Sequence, residues 1–314
     1  MIFEDLSVYG AEGFLTFLDE AIKRGMMIMK IGFIGAGKVG SGFGCYLRAR
    51  DMNVSGYFDL DENASTLAAD AVEGRVFKSI DDVLKASDMV FITTQDDKIE
   101  SVCNMLSQSS YFTSQHLIGH MSGASTCELL KSVSEKGAEV FVLHPLQAFT
   151  DMNRVAKQLE TTYFSVETVA QLPVRVKELL DVLGNPYFEL KPSQKAHYHM
   201  AAVIVSNYLT TLMDFGLTQM EQAGIPKEDA WKALEPLIKG ALSNIDQLGP
   251  ASALTGPIAR GDVSTVNTHL KALESDPEGR AFYQFMANRT LGLAQVEKIK
   301  DKAKIEAVKK ALEN

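Results

Sequence analysis

The chain predicts an α/β fold, a doubly wound parallel sheet in its first half followed by a mostly helical domain. Three observations predict it. Strand-length apolar runs alternate with helical patterns from Met29 to about residue 150. A glycine-rich turn joins the first strand to the first helix, and from Ser193 onward the periodicity is helical almost throughout.

Met29 to Ile34 reads as a buried strand, Lys38 to Arg50 as a helix and Val54 to Phe58 as a second apolar strand. Between the first two lies Gly35-Ala36-Gly37-Lys38-Val39-Gly40, a G-x-G-x-x-G turn. In such a turn the first glycine makes the bend, the second admits a pyrophosphate to the backbone amides, and the third lets helix and strand pack closely. Gly35, Ala36, Gly37, Lys38, Val39 and Gly40 are therefore candidates for dinucleotide binding, the alternative being an ordinary strand-to-helix turn. Asp59 ends the second strand 19 residues after Gly40, where a carboxylate accepts both ribose hydroxyls and favours NAD over NADP. Asp59 could equally be a helix cap, although Asp61 stands closer to the helix expected near Glu62. Gly42 and Gly44 each weaken the first helix by about 1 kcal/mol relative to alanine, and a close approach to ligand or sheet would explain them.

Val76-Phe77 then suggests a short strand, Ser79 caps a helix running to Lys85, and Met89 to Thr93 forms a strand ending in Thr94-Gln95-Asp96-Asp97. Strands at His116 to His120 and Glu139 to Leu143 flank a helix from about Ser125 to Val133. Ligand-facing groups in such a sheet collect at strand carboxyl ends. They are Thr93, Thr94 and Asp96 as further cofactor contacts, then Met121-Ser122-Gly123, then His144-Pro145-Leu146-Gln147. A strand at Thr162 to Val166 follows, then a helix from Leu172 to Leu183 with Pro173 in its first turn and Gly184 stopping it, then a short strand before Pro192. Gly224, Gly240, Gly249-Pro250 and Gly256-Pro257 punctuate the helical part, and the tail from Val296 reads as a solvated terminal helix. The expected organisation is an extension at 1–28, a nucleotide-binding domain at 29–160 and a mostly helical domain at 161–314.

A chain of 314 residues with 46% hydrophobic residues supports two ordinary domains. A net charge of −9 opposes nonspecific nucleic-acid binding, which needs a basic surface. Cys45, Cys103 and Cys127 lie far apart without metal-like spacing, which points to reduced thiols in a cytoplasmic setting and to no metal. No apolar run approaches the roughly 20 residues of a membrane span. Glu4, Asp5, Asp19 and Glu20 are unlike a secretory signal, so neither membrane nor export is expected. Phe14, Leu15, Phe17, Leu18, Ala21 and Ile22 suit a short amphipathic helix, either a docking element or a nonnative tail ahead of a start at Met27 or Met29.

On the helix beginning at Ser193, Lys195, His199, Ala202, Ser206 and Thr210 fall on one stripe flanked by Asn207, while Tyr198 belongs to another face. Hydride transfer to a carbonyl or imine needs a proton donor or acceptor beside the reacting atom, and Lys or His suits that task. His199 and Lys195 are thus catalytic candidates, against the alternatives of a structural histidine and a lysine pointing to water. His197 lies about 200° around the helix from His199 and is less favoured. His144, held extended by Pro145, and Ser122 complete the catalytic candidates, with His120 as readily structural. Asn207 is a candidate for substrate positioning. Arg260, in the Gly- and Pro-rich segment Leu254 to Asp262, could grip a substrate carboxylate or pair with Asp262.

The glycine turn, Met121-Ser122-Gly123, His144-Pro145-Leu146-Gln147, Tyr198-His199 with Ser206-Asn207, and Thr255-Gly256-Pro257-Ile258-Ala259-Arg260-Gly261-Asp262 together resemble Rossmann-like NAD(P)-binding oxidoreductases carrying a C-terminal domain of unknown function 2520. The likeness runs in order from about residue 29 to about residue 295. It implies a Rossmann domain followed by a helical domain similar to that of the 6-phosphogluconate dehydrogenase superfamily, which commonly dimerises, and hence a homodimer through that domain. Pyrroline-5-carboxylate reductases and prephenate dehydrogenases are similar in layout, the latter with a His-Pro pair where His144-Pro145 stands. Relatives that use NADP tend to carry Ser and Arg after the second strand, whereas this chain has Asp59-Leu60-Asp61. The resulting expectation is an NAD(P)-dependent oxidoreductase, NAD preferred, moving hydride between nicotinamide and a small carbonyl, hydroxy or imino acid in the interdomain cleft. Its alternatives are a nicotinamide-nucleotide-sensing protein without turnover and a pyrroline-5-carboxylate reductase-like enzyme.

Overall fold

The first strand, β1 (Lys30–Ile34), is buried over four of its five residues, which places it in the middle of a sheet covered on both faces. The structure is a computed structural model that describes residues 29–313 and Gly25; the amphipathic stretch expected at 14–22 lies outside the described residues. After β1 come α1 (Lys38–Arg48), β2 (Asn53–Phe58), α2 (Glu62–Val72), β3 (Arg75–Val76), α3 (Ile80–Ala86), β4 (Met89–Ile92), α4 (Ile99–Gln108) and β5 (Leu117–His120). The chain continues through α5 (Lys131–Ser134), β6 (Glu139–Pro145), α6 (Met152–Gln158), β7 (Phe164–Thr168), α7 (Val174–Leu183), β8 (Tyr187–Glu189) and α8 (Lys195–Val205).

The strands pair in the order β3-β2-β1-β4-β5-β6-β7-β8. Strand order reverses between β1 and β4, which opens a crevice beyond their carboxyl ends. Alternate residues serve opposite faces: Phe33, Phe91 and Phe141 pack with Phe43 on one side, and Ile34, Val90, Ile92 and Val142 pack on the other. Phe33 stacks on Tyr57 and Phe91, and Phe91 meets Phe141 edge on, a run of contacts each worth about 0.5–1.5 kcal/mol beyond burial. Both extra glycines of α1 answer to packing. A Cβ on Gly44 would collide with the Tyr57 hydroxyl from β2, and one on Gly42 would press on Val155 and Phe149.

Two features depart from expectation in ways that shape the site. β7 runs antiparallel to β6, pairing His144 with Ser165 and Val142 with Glu167, and β8 extends the sheet further. The first compact unit therefore reaches Asn207, well past the boundary expected at 160/161. The helix expected from about Ser125 to Val133 is instead a 3-10 turn (Cys127–Leu130) leading into α5. Its opening amides are engaged elsewhere, those of Ala124 and Ser125 by the Ser122 hydroxyl and that of Cys127 by the Glu167 carboxylate.

The second unit, Tyr208–Asn314, is helical: α9 (Asn207–Gln222), α10 (Lys227–Ala253), α11 (Pro257–Arg260), α12 (Val263–Ala272), α13 (Pro277–Glu297) and α14 (Lys302–Glu313). Ile258, Val266, Leu270, Leu291, Ala294 and Val308 form its core. Gly249, at φ 75°, kinks α10 just before Pro250, whereas Gly240 lies inside that helix and interrupts nothing. The segment expected to be a loop at Leu254 to Asp262 contains the single turn α11. The helical run 192–222, broken at Ser206, is long and apolar enough to cross a membrane by length and composition, with a mean hydropathy of 1.3. Counting unbroken apolar residues does not detect such a run, because polar residues interrupt it.

Candidate active site

The three glycines of the turn have three different reasons to lack a side chain. Gly35 has φ 106°, and a Cβ there would stand 2.6 Å from the Thr93 carbonyl carbon. A Cβ on Gly40 would stand 2.4 Å from the Gly35 oxygen. Gly37 instead faces open space and precedes α1, whose first turn has no side-chain cap. Uncapped amides with room before them suit an anion. Lys38 is exposed at the start of α1, Ala36 is buried and Val39 is half-buried behind the turn.

Beside the turn is a cavity of about 600 Å³ lined by Gly35, Gly37, Asp59, Thr93, Thr94 and Met105 among others, a size that admits a nucleotide. Asp59 is not a cap, since Asp61 receives the Asn63 and Ala64 amides at the start of α2. Its carboxylate accepts hydrogen bonds from the Ala36 amide at 2.6 Å and the Asp61 amide at 2.9 Å, which fixes it at the cavity wall. Thr93 donates its hydroxyl to the Gly35 carbonyl at 2.7 Å. Thr93 and Thr94 also line a second, small space of about 60 Å³ together with Val39, Asp96, Met121 and Ser122.

The next residue along, Gly123, lies under two histidines. A Cβ at this position would stand 2.8 Å from His144 Nε2 and 2.8 Å from His199 Nδ1, so only glycine lets both imidazoles close over the end of β5. They share a cavity of about 410 Å³ with Leu146, Gln147, Phe149, Ser206 and Asn207. His144 Nδ1 lies 2.6 Å from the Tyr198 hydroxyl. Burial, and then the charge of Lys195 and the nearby His199 and His120, push the His144 pKa down to about 4, so its imidazole is neutral near pH 7. His199 Nδ1 is buried without a hydrogen-bond partner among the described residues.

Several expected roles change with these placements. Lys195 is not at the cavity: its side chain is 2% exposed, its ammonium 3.3 Å from the Glu167 carboxylate, itself 1% exposed. The two atoms lie within ion-pair distance but off the directions of a hydrogen bond. Burial lowers the Lys195 pKa, with Glu167 acting against it. The i, i+4 spacing correctly puts Lys195 below His199, but β7 covers it, 28 residues away in sequence where no local pattern can announce it. Ser122 donates its hydroxyl to Asp96 at 2.7 Å, so both side chains are engaged in holding the strand ends together. His120 is structural, with Nδ1 accepting from the Ser122 amide and Nε2 facing the Thr126 carbonyl. His197 is exposed. Arg260 belongs to the second unit, where its charge helps hold the Asp262 carboxyl below its usual range after the stronger effect of Thr265 hydrogen bonds. Tyr198, assigned by spacing to another face, is a residue missed, as are Ser165 and Glu167 on β7. Tyr198 sits 100° from His199, and a helix contacts its neighbours over an arc at least that wide.

This crevice, its three-reason glycine turn and the acid at the end of β2 define a class, and residues 19–145 match the model of a Rossmann-like domain. Residues 162–290 match the domain of unknown function DUF2520, so the chain belongs to the proteins that join a Rossmann-like domain to DUF2520. No curated protein sequence matches it. Among solved structures it is similar to a candidate NADP oxidoreductase from Bacteroides fragilis, at 18% identity over 85% of this chain and 99% of that one, with a TM-score of 0.71. It is also similar to a Plasmodium falciparum pyrroline carboxylate reductase with NADP bound, at 14% identity over 91% and 99% of the two chains, TM-score 0.58. An imine reductase from Myxococcus stipitatus in complex with NADP+ gives 15% identity, 91% and 100% coverage and a TM-score of 0.58. At these identities the likeness is one of fold.

Proposed function

We propose that the chain is an NAD(P)-dependent oxidoreductase acting on a small carbonyl, hydroxy or imino compound. The observation that carries this reading is continuity within the first unit. The nucleotide-sized cavity, the small space walled by Thr93, Thr94 and Ser122, and the imidazole pair over Gly123 follow one another along the strand carboxyl ends. The amides opening α1 would hold the pyrophosphate and Asp59 the adenosine ribose. When bound, the reduced nicotinamide supplies a hydride to an electron-poor carbon. His144 and His199 then face the atom that takes up the proton, while Gln147 and Asn207 line the space around it. Names of proteins with this fold, among them NADP-bound reductases, agree with such chemistry.

Asp59 argues for NAD in this chain, because its carboxylate would repel a 2′-phosphate. Titration of the purified protein with NADH and NADPH, followed by nicotinamide fluorescence, should give the tighter Kd for NADH, and Asp59→Ser should narrow the difference. Tighter NADPH binding by the unaltered protein would reverse the assignment. The same proposal includes a cytoplasmic homodimer through the helical domain. Trp231, Leu237, Ile245 and Leu248 on α10, all exposed in the single chain, support it.

A further inference from the structure

The two imidazoles over Gly123 differ in what lies behind them. His199 Nδ1 meets no partner among the described residues, whereas His144 Nδ1 meets Tyr198, and Tyr198 in turn meets the Ser165 hydroxyl. Ser165 is buried on β7 directly opposite His144 in the antiparallel pair. We propose that Tyr198, backed by Ser165, is a positioning residue that locks His144 in the tautomer whose Nε2–H faces the cavity. The substrate atom it meets is then a carbonyl or hydroxyl oxygen, and not the nitrogen of an imine, which takes up hydride as the protonated iminium ion and so would set its own N–H against that of the ring.

Three observations support the direction of each bond. A separation of 2.6 Å fits a hydroxyl donor, since O–H donors make shorter bonds than ring N–H donors, which prefer about 2.9–3.0 Å. The Ser165 hydroxyl is the hydrogen-bond partner of the phenol and can donate to its oxygen, which leaves the phenol proton for the imidazole. The phenol proton then has His144 Nδ1 as the acceptor in reach. Finally, the groups facing His144 are the Lys195 ammonium, His199 and Tyr198 from α8, His120 from β5 and Ser165 from β7. The carboxylate on the same face of β7, Glu167, is matched by the Lys195 ammonium, so no unpaired negative charge favours the doubly protonated ring, and a neutral imidazole that accepts at Nδ1 must carry its proton on Nε2.

The tautomer stands on this geometry alone, while the substrate class rests on the oxidoreductase reading above. Two readouts keep them apart. In full-length protein with 15N-labelled histidine, two-bond proton–nitrogen spectra at pH 7 should show His144, assigned by its loss in His144→Gln, as the Nε2–H form. Tyr198→Phe, which keeps the ring, should give a mixture of forms, and Ser165→Ala a smaller change. A wild-type Nδ1–H form, or a form indifferent to Tyr198→Phe, overturns the positioning role. With NADH present, pyruvate, 2-oxobutyrate and cyclohexanone should be reduced in preference to 1-pyrroline. Tyr198→Phe should lower kcat about 10- to 100-fold, the scale for groups that orient a histidine through its second nitrogen, with KM and NADH affinity nearly unchanged. Turnover of 1-pyrroline alone overturns the substrate class. A spectrum as expected with no turnover of any of the four overturns the substrate class while leaving the tautomer intact.

Discussion

His120 ends β5, and His144 stands next to last in its neighbour β6. Burial is the main cause that pushes both pKa values down to about 4. Their partners set them apart. Both nitrogens of His120 are occupied by backbone groups of the turn that follows, the Ser122 amide and the Thr126 carbonyl. His144 leans one nitrogen on a side chain and presents the other to a cavity beside His199. Burial and a shifted pKa thus do not separate the structural histidine from the one proposed to act; the disposition of the second nitrogen does.

The largest effect should come from breaking the cavity member of this comparison. His144→Gln should lower kcat by about 10²–10³-fold, the usual contribution of a positioned hydrogen-bond donor to developing negative charge, while NADH affinity stays within a fewfold. Gly123→Ala should act in the same direction, because its methyl group would strike both imidazoles. Steady-state kinetics with parallel NADH titration decides the matter, and unchanged turnover in both variants would remove the imidazole pair from the chemistry.

A second experiment sharpens the contrast between holding a site and acting in it. Lys195→Met leaves the Glu167 carboxylate buried without its countercharge, a loss on the order of 3–5 kcal/mol in chemical denaturation. Lys195→Met combined with Glu167→Gln should recover most of that stability, because the charges leave together. A double variant that is stable yet inactive would return Lys195 to the reaction itself.

The smallest effect is expected at His120. His120→Gln should cost about 1–3 kcal/mol through the amide and carbonyl it releases, with turnover per folded molecule retained. It should also alter the acid limb of stability. With folded pKa values near 4 for His120 and His144 against 6.5 for an ordinary histidine, the unfolded chain binds more protons between those values. Stability therefore falls as pH drops from about 6.5 toward about 4. The Lys195 ammonium lowers the His120 pKa further and Asp96 raises it, both after burial. Denaturation midpoints measured across this window should decline less steeply in His120→Gln than in the parent.

The nucleotide half of the site was legible because its signals are local. Gly35, Gly37 and Gly40 lie within six residues, Asp61 caps the helix beside it, and Asp59 closes the adjacent strand. His144 and His199 were each legible alone, one from a strand end followed by proline, the other from a polar stripe on an apolar helix. Their meeting over Gly123 was not, since it depends on how α8 lies across β5 and β6. Glu167 and Ser165 left no signal in the sequence. They stand on a strand whose antiparallel direction no periodicity encodes, and a lone Glu or Ser in a strand pattern reads as a solvent-facing position. Tyr198 was misplaced for a simpler reason, a stripe drawn narrower than the arc that a packed helix presents.

The reversed direction of β7 has a mechanical consequence. Ser165 and Glu167, two residues apart and hence on one face of the strand, grip Tyr198 and Lys195, three residues apart on α8. The paired anchors span roughly 6.8 Å along the strand and about 4.5 Å along the helix, like two pins through a plate. One pin would leave the helix free to swivel; two oppose both rolling and sliding. The aim of the imidazole over the end of β5 is thereby set by an appended strand outside the nucleotide-binding motif, and a one-residue slip of that strand would withdraw both pins at once.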